Sequence, residues 1–407
     1  MITDWQEDHE RGITHPEGFA AGTVRCGLKT EGDDLALIVS DRPATAAGVF
    51  TTNQVKASCV TFSQSVLANG TARAILCNAG NANACNGERG LSDTERSAQM
   101  VSARLELHEG DVLIASTGII GHPLPMNKLE DGIPGVAADL ERSAVRDMEV
   151  ARAIMTTDTR PKLIAATCKS DAWSGGIRIG GVCKGSGMIA PNMATMLCFL
   201  TTDAAVPTPL LQKALNHAVA RTFNRITVDG DTSTNDMTLL LANGAGTAQI
   251  HTEGPAYDDF CEALERVCRH LAKEVARDGE GATKLVEVAV KGARSENDAE
   301  RIARTIAESP LVKTALFGCD PNWGRIMMAA GRAGVAFDPA LGEVRLGDLT
   351  VFRAGMGVTF DPKEASAYLS KREVRLVLDL HAGSAEATVW TCDLSYDYVR
   401  INAEYHT

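Results

Sequence analysis

The sequence predicts an α/β (α+β) protein in which layered mixed or antiparallel sheets carry flanking helices. Short apolar runs bounded by turn residues, which are typical of strands, are interspersed with segments whose apolar residues recur every three or four positions, as in amphipathic helices. These segments do not follow the regular strand–helix–strand rhythm of an all-parallel sheet. Mixed or antiparallel pairing is therefore expected.

The amino-terminal half is predicted to be rich in strands. The candidate strands are 35–39, 46–51, 72–77 and 111–115. The Ser-Asp-Thr-Glu motif at 92–95 has the spacing of a capping box, so it predicts the start of a helix between the last two strands.

The second half is predicted to mix strands and helices before a strand-rich carboxyl terminus. In order, we expect a strand from Thr195, a helix from Pro207, a strand at 237–242, a helix over 260–275, a strand at 284–290, a helix around Ile302 that ends near Ser309, and strands within 344–352 and 373–399.

Composition disfavours several classes of function. The 407 residues are 44% hydrophobic and 23% charged, as in an average soluble domain, and the net charge of −12 disfavours nucleic-acid binding. No apolar run approaches the roughly 20 residues that span a bilayer, and the acidic start lacks the features of a signal peptide. With scattered cysteines and no Cys-x-x-Cys pair, we expect a cytoplasmic protein with reduced thiols, bound neither to nucleic acid nor to a membrane.

The sequence does not predict a metal site. Its nine histidines show none of the spacings of metal ligands. The aspartate-rich run at 229–236 suggests a calcium loop, but Leu240 stands where an EF-hand has its glutamate, so calcium binding is rejected.

The most informative segment is 184–197, which reads Lys-Gly-Ser-Gly-Met-Ile-Ala-Pro-Asn-Met-Ala-Thr-Met-Leu. A glycine-rich approach to Ala194-Thr195 suits a chain that cuts itself there, since cleavage would turn Thr195 into a nucleophile with its own amine as base. The plain alternative is that Thr195 only begins a buried strand. A dinucleotide-binding loop is rejected because Pro191 prevents the helix that such a loop must open.

Three further motifs have structural explanations, and the first and third also have a functional one. Thr117 and Gly118 follow a predicted strand and suit an oxyanion hole, or form an ordinary turn. The polar run at 156–162 is explained by a solvated turn in which the side chain of Asp158 accepts a hydrogen bond. Glu280 lies between two glycines after a helix, either as an exposed carboxylate or within a helix cap.

Together, and in this order, the motifs resemble those of the ornithine acetyltransferase (glutamate N-acetyltransferase, ArgJ) family over essentially the whole chain. The matching segments are 78–85, 116–118, 155–162, 184–197, 229–236, 279–284, 313–325 and the terminal positions Asn402 and Thr407. The block at 184–197 is highly specific. Asn86 stands where threonine is common, and this departure touches no catalytic position.

The resemblance implies a self-processing, N-terminal-nucleophile-like enzyme of the ArgJ/DmpA type. Cleavage between Ala194 and Thr195 would give an α chain of residues 1–194 and a β chain of residues 195–407, which stay associated as a heterotetramer of two α and two β chains. Thr195 would be the nucleophile, with Thr117 and Gly118 as the oxyanion hole. The positions that match substrate contacts are Thr156, Lys184, Thr195, Glu280, Asn402 and Thr407.

The implied reaction is acetyl transfer in arginine biosynthesis. Thr195, activated by its own amine, takes the acetyl group of N2-acetyl-L-ornithine, and L-glutamate then takes it from acetyl-Thr195. No cofactor is implied, and the use of acetyl-CoA as a further donor stays open. From the sign of their charges, we expect Lys184 to face a substrate carboxylate and Glu280 an ammonium group. The alternatives are an N-terminal-nucleophile aminopeptidase or amidase, and an unprocessed binding protein.

Overall fold

Nine strands form a mixed sheet within residues 1–190 and 196–404, the part of the chain that the computed structural model describes. They are β1 (Ile2–Asp8), β2 (Phe19–Val24), β3 (Leu35–Phe50), β4 (Thr71–Asn81), β5 (Val112–Ile119), β6 (Lys162–Ser170), β7 (Gly176–Lys184), β8 (Leu197–Thr202) and β9 (Met237–Ala242). The order is β1-β6-β7-β8-β9-β3-β4-β5, with β2 beside β3. Only β4–β5 and β8–β9 pair in parallel among these strands, so the mixed-sheet prediction is confirmed.

Helices cover both faces of this sheet. One face carries α1 (Ser58–Leu67), α2 (Gly87–Leu105), α3 (Met126–Ala138) and α4 (Ala144–Ala153), and the other carries α5 (Thr208–Arg221) and α6 (Pro255–Arg277). Strand β9 is buried on both faces of the sheet. Its residues Leu239 and Leu241 pack toward α1–α4, and Leu240 packs toward α5 and α6. A strand buried on both faces needs apolar residues throughout, which explains why 237–242 was predicted correctly.

A smaller sheet follows α6. Its strands are β10 (Leu285–Ala293), β11 (Glu343–Leu346), β12 (Leu349–Arg353), β13 (Met356–Gly357), β14 (Glu373–Asp379) and β15 (Ala385–Cys392). The helices of this region are α7 (Glu296–Ala307), α8 (Pro310–Phe317), α9 (Trp323–Gly331), α10 (Pro362–Leu369) and the last helix, α11 (Tyr396–Glu404). Buried residues of α7, α8 and α9 form the core against this sheet.

One predicted element is wrong. Helix α2 begins at Gly87, so the motif at 92–95 lies inside the helix and does not cap it. The first turns are held instead by the buried Asn83 amide, which donates to the carbonyl of Gly90 and the hydroxyl of Thr94. The strands predicted within 373–399 are confirmed as β14 and β15, but α11, which begins inside this range, was not predicted; this helix has no buried residue and therefore no apolar stripe to reveal it.

The predicted boundary between the α and β chains runs through the first sheet. Strand β7 ends at Lys184 and β8 begins at Leu197, and these two residues are partners in an antiparallel ladder. Ala194 and Thr195, the predicted cleavage pair, lie outside the described residues, as does the expected start of a strand at Thr195. Strands from both predicted chains therefore share one set of ladder hydrogen bonds.

Candidate active site

One small cavity brings together the predicted site residues that the structure describes. Its volume is about 150 Å³. The predicted residues that line it are Thr117, Gly118, Thr156, Lys184, Glu280 and Asn402. Met188 also lines it, as does Met196, the first described residue after 191–195. Ala194, Thr195 and Thr407 lie outside the described residues, so their predicted roles stay predictions.

Thr117 and Gly118 lie near the carboxyl end of β5, beside β4. Gly118 has a φ of +130°, and a Cβ there would lie 2.3 Å from the carbonyl carbon of Gly80, so only glycine fits. The Nζ of Lys184 lies 3.3 Å from Oγ1 of Thr117. Because an ammonium group only donates, the Thr117 hydroxyl accepts in this contact and keeps its own hydrogen for another acceptor.

Glu280 enters the cavity from the loop after α6 and is nearly buried, at 7% exposure. The Nδ2 of Asn402 donates to its Oε2 across 2.8 Å, and the Glu280 backbone N–H donates to the carbonyl of Ser186 across 3.0 Å. A Cβ on Gly187 would lie 2.3 Å from Oε1 of Glu280, so the missing side chain makes room for the carboxylate. The carboxylate is thus fixed between α11 and the segment that follows β7.

Beside the cavity, Lys162 is buried between two carboxylates. Its Nζ lies 2.6 Å from Oδ1 of Asp158 and 2.6 Å from Oδ2 of Asp278. Burial by itself would raise the pKa of Asp158, but the charge of Lys162, with that of Lys184 and a backbone hydrogen bond, lowers this pKa to about 2. The predicted solvated turn at 156–162 is therefore wrong, since its aspartate belongs to a buried ion cluster.

This ion cluster connects three segments that surround the cavity. Asp158 accepts the backbone N–H of Gly185 across 2.7 Å and that of Thr156 across 3.2 Å. The hydroxyl of Ser186 donates to the backbone carbonyl of Asp278 across 2.6 Å. The segment after Lys184, the Thr156 loop and the end of α6 are therefore connected through the cluster.

Asp229 is a supporting residue whose contacts the sequence did not predict, although its segment, 229–236, is one of those that match the family. Its carboxylate accepts the backbone N–H groups of Met188 and Ile189 across 2.6 and 2.7 Å. Burial raises the pKa of Asp229, and these backbone donors oppose the rise. The dense aspartates were visible in the sequence, but their bonding to a segment some 40 positions away was not.

Asn235, in the same segment, is a second support whose contacts the sequence did not predict. Its side-chain amide donates to the carbonyl of Ala82 across 2.6 Å and to that of Ser116 across 2.8 Å. It therefore connects the loop before β9 with the ends of β4 and β5, next to Thr117.

The described residues contain no group of three or more His, Cys, Asp or Glu side chains placed to hold a metal ion. Within the same ranges, no helix combines the length and apolar character needed to cross a bilayer. All eleven cysteines are described, and each is a free thiol.

Comparison with known proteins decides the family. The model of the ArgJ family matches residues 20–407. The chain belongs to the ArgJ family. Its resemblance to that family, predicted from the motifs, is therefore confirmed.

Individual ArgJ proteins match at high identity. The arginine biosynthesis bifunctional protein ArgJ of a Synechococcus strain is 51% identical over 419 residues and covers 100% of both chains. The protein of the same name from Symbiobacterium thermophilum is 50% identical, over 97% of this chain and 98% of its own. A crystal structure of the Bacillus halodurans arginine biosynthesis bifunctional protein argJ is 45% identical, with a TM-score of 0.50, over 51% of this chain and 98% of the solved chain.

Proposed function

We propose that the chain is an acetyltransferase of arginine biosynthesis that moves the acetyl group of N2-acetyl-L-ornithine to L-glutamate. Full-length relatives of this family are named arginine biosynthesis bifunctional proteins. The small cavity carries the proposal. Beside Met196 it brings together the hydroxyl donor of Thr117, the cation of Lys184 and the fixed carboxylate of Glu280.

The nucleophile in this proposal is Thr195, set free by cleavage after Ala194. The solved Bacillus halodurans chain supports this step. The match includes 98% of the solved chain but only 51% of this chain, so the solved chain is about half as long. The match with the Synechococcus relative, by contrast, includes 100% of both chains. A solved chain of about half length is what cleavage near the middle of a relative would leave.

The chemistry then needs only protein groups and substrates. The free α-amino group of Thr195, with an ordinary pKa of roughly 7.7–8.0, takes the proton of the hydroxyl as the oxygen attacks the acetyl carbon. The Thr117 hydroxyl and the Gly118 N–H donate to the resulting oxyanion. The C–N bond breaks, ornithine leaves with the proton, and acetyl-Thr195 remains. The amine of glutamate attacks this ester, the C–O bond to Thr195 breaks, and a proton from the glutamate amine passes through the Thr195 amine to the hydroxyl oxygen as N-acetylglutamate leaves.

Charge complementarity supports the substrate contacts. The Glu280 carboxylate, held by Asn402, suits the side-chain ammonium of ornithine. Lys184 suits a substrate carboxylate, and its contact with Thr117 also brings positive charge to the proposed oxyanion site. Thr156 and Thr407 complete the proposed set of contacts.

We also propose that the two chains remain associated, as a heterotetramer of two α and two β chains, and that the enzyme works in the cytoplasm without a metal or organic cofactor. The ladder between β7 and β8 supports continued association after cleavage. The eleven free cysteines support a reducing compartment.

A transfer assay distinguishes this function from that of an aminopeptidase or amidase. The purified enzyme is incubated with N-acetylornithine, with and without glutamate. We expect equal amounts of ornithine and N-acetylglutamate, and little free acetate, when glutamate is present. Release of acetate that is independent of glutamate would favour the hydrolase instead. The Thr195→Ala variant is the matched control and should be inactive.

A further inference from the structure

One segment of the chain, 228–237, holds the backbone on both sides of the predicted cleavage pair; we call it the supporting segment. Before the pair, the backbone N–H of Ala190 donates to the carbonyl of Asp231 across 2.9 Å. After the pair, the carbonyl of Met196 accepts the N–H of Met237, the first residue of β9, across 3.1 Å. Along the chain, the cleavage pair therefore lies between two points that the same segment holds.

The contact before the pair is a short antiparallel pairing. Ile189 and Thr232 form an isolated β-bridge. The N–H of Val228 donates to the carbonyl of Ile189 across 2.6 Å, and the hydroxyl of Thr232 donates to the carbonyl of Ala190 across 2.9 Å. Ile189 is also fully buried. The backbone is thus fixed here by packing as well as by hydrogen bonds.

Asp229 adds the side-chain contacts of the supporting segment. Its Oδ2 accepts the N–H of Met188, and its Oδ1 accepts that of Ile189. Met188 has a φ of +56°, a left-handed conformation that residues other than glycine rarely adopt and that persists only where neighbouring groups fix it. The carboxylate fixes it directly, because it binds the N–H of the strained residue itself.

Both oxygens of Asp229 are needed for these contacts. An asparagine at this position has one acceptor oxygen, and its NH2 group would face the second backbone N–H, donor against donor. One of the two N–H groups would then lose its partner next to the strained Met188. Asp229→Asn therefore loosens the backbone before the cleavage pair while the side chain keeps its size.

The contacts also join the two predicted chains. Residues 188–190 belong to the α chain, and the supporting segment belongs to the β chain. Most of that segment is the aspartate-rich run 229–236, which the sequence analysis rejected as a calcium loop. Its hydrogen bonds give this run another role, that of holding the backbone that leads to the cleavage pair.

Self-cleavage depends on such positioning. The hydroxyl oxygen of Thr195 attacks the carbonyl carbon of Ala194, the C–N bond breaks, and the hydroxyl proton moves to the nitrogen. Water then splits the resulting ester, which leaves a carboxylate on Ala194, restores the hydroxyl of Thr195 and releases a proton. An attack within one chain is fast only when the reacting atoms are held in place, and a displacement of about 1 Å can slow it about 10²-fold.

We infer that the supporting segment positions the cleavage pair for self-processing, with Asp229 as the main positioning residue and Thr232 as a second one. The self-cleavage in the proposed function is the step on which this role rests. The two residues act on the backbone before the pair and take no part in bond making or breaking.

The rate of self-cleavage in freshly made full-length chain tests this role. The chain is labelled in a short pulse of cell-free translation, and denaturing electrophoresis then follows the uncut precursor over time. We expect the precursor of Asp229→Asn to last at least about tenfold longer than that of the wild type, since hydrogen bonds to a charged group are lost. Thr232→Val, which loses one hydroxyl, should be cut about threefold more slowly, and Thr232→Ser should be cut at the wild-type rate.

Asp147→Asn is the matched control. Asp147 is buried in α4, and its carboxylate accepts the backbone N–H groups of Gly12 and Thr14 across 2.8 and 2.7 Å, so it loses the same kind of contact at a position that does not line the small cavity. It should be cut at the wild-type rate. Melting temperatures of all variants in a Thr195→Ala background separate slow cleavage from poor folding. Cleavage of Asp229→Asn at the wild-type rate, or equal slowing in Asp147→Asn or in Thr232→Ser, would overturn the inference.

Acetyl transfer by the cut protein separates this role from a general support of the cavity. Thr232 is not among the residues that line the small cavity, so cut Thr232→Val should show the wild-type kcat with N-acetylornithine and glutamate. A kcat that falls as much as the cleavage rate would overturn the inference.

The same experiments distinguish failure of the inference from failure of the proposed function. A wild-type precursor that stays whole would contradict the proposed self-cleavage, and the positioning role with it. If the wild type is cut and Asp229→Asn is cut equally fast, only the positioning role fails. If the wild type is cut with the expected differences among the variants but transfers no acetyl group, the proposed transfer fails and the positioning role stands.

Discussion

The Nζ of Lys184 donates to Oγ1 of Thr117 across 3.3 Å, and so connects the ends of β7 and β5, two strands that are not neighbours in the sheet. The contact has a chemical consequence because lysine cannot accept. It leaves the hydrogen of the Thr117 hydroxyl available to a third group, and it brings a positive charge beside that hydroxyl. Both effects suit the stabilisation of an oxyanion.

Removing the Thr117 hydroxyl should therefore slow acetyl transfer. Thr117→Val keeps the volume of the side chain and removes the donor, and we expect kcat to fall by about 10²–10³-fold, the usual effect of losing one oxyanion donor. Thr117→Ser keeps the hydroxyl and should retain most of the activity. Initial rates with N-acetylornithine and glutamate measure this, and equal rates for the valine and serine variants would exclude the role.

The buried ion cluster should be sensitive to loss of its cation. Lys162→Met leaves Asp158 and Asp278 buried without their partner, so we expect the free energy of unfolding to fall by about 3–5 kcal/mol. Lys169→Met is the control, since Lys169 is exposed and pairs with Asp4 at 3.4 Å, and should change that free energy by less than about 1 kcal/mol. The free energy is measured by urea unfolding in a Thr195→Ala background, because this substitution should keep the chain in one piece. A loss for Lys162→Met no larger than that of the control would contradict the account.

The same cluster predicts a pH dependence of stability. The pKa of Asp158 is about 2 in the folded state and about 3.9 in an unfolded chain. Its ionised form therefore stabilises the fold fully above pH 5, and this contribution, on the order of 2–3 kcal/mol, is lost as pH falls toward 2. We expect the difference in free energy of unfolding between the wild type and Asp158→Asn, both in the Thr195→Ala background, to shrink between pH 5 and pH 3. A constant difference would show that Asp158 has an ordinary pKa.

The carboxyl terminus should matter for activity more than for stability. No residue of α11 is buried, so truncation after Ile401 removes little of the core, and the melting temperature should change by only about 2 °C. The truncation does remove the amide that holds Glu280, so we expect acetyl transfer to be abolished. Asn402→Ala alone loses one hydrogen bond to a charged group and should raise the KM for N-acetylornithine about tenfold. Unchanged turnover in the truncated protein would contradict this.

Helices and strands could be predicted from the sequence where burial requires apolar residues at regular spacing. Strand β9 and helices α6 and α7 were found because their apolar residues repeat with the spacing of a doubly buried strand or an amphipathic helix. Helix α11 was missed because none of its residues is buried, and the start of α2 was misplaced because Asn83, a residue outside the helix, supports it.

Some residues of the candidate site could likewise be predicted from the sequence, and others could not. Family motifs indicated Thr117, Lys184 and Glu280, and the structure brings all three to one cavity. The pairing of Lys162 with Asp278 was not predictable, because 116 positions separate them and only the packing of α6 against β6 joins them.

The central claim is that Thr195 becomes a free amino-terminal nucleophile that carries the acetyl group. Intact-mass spectrometry of the purified protein, before and after incubation with N-acetylornithine in the absence of glutamate, tests it most directly. We predict two chains, residues 1–194 and 195–407, of which only the second gains one acetyl group, on Thr195, and loses it when glutamate is added. The Thr195→Ala variant should remain one chain without acetylation. A wild-type protein that transfers acetyl groups at full rate as a single uncut chain would contradict the account.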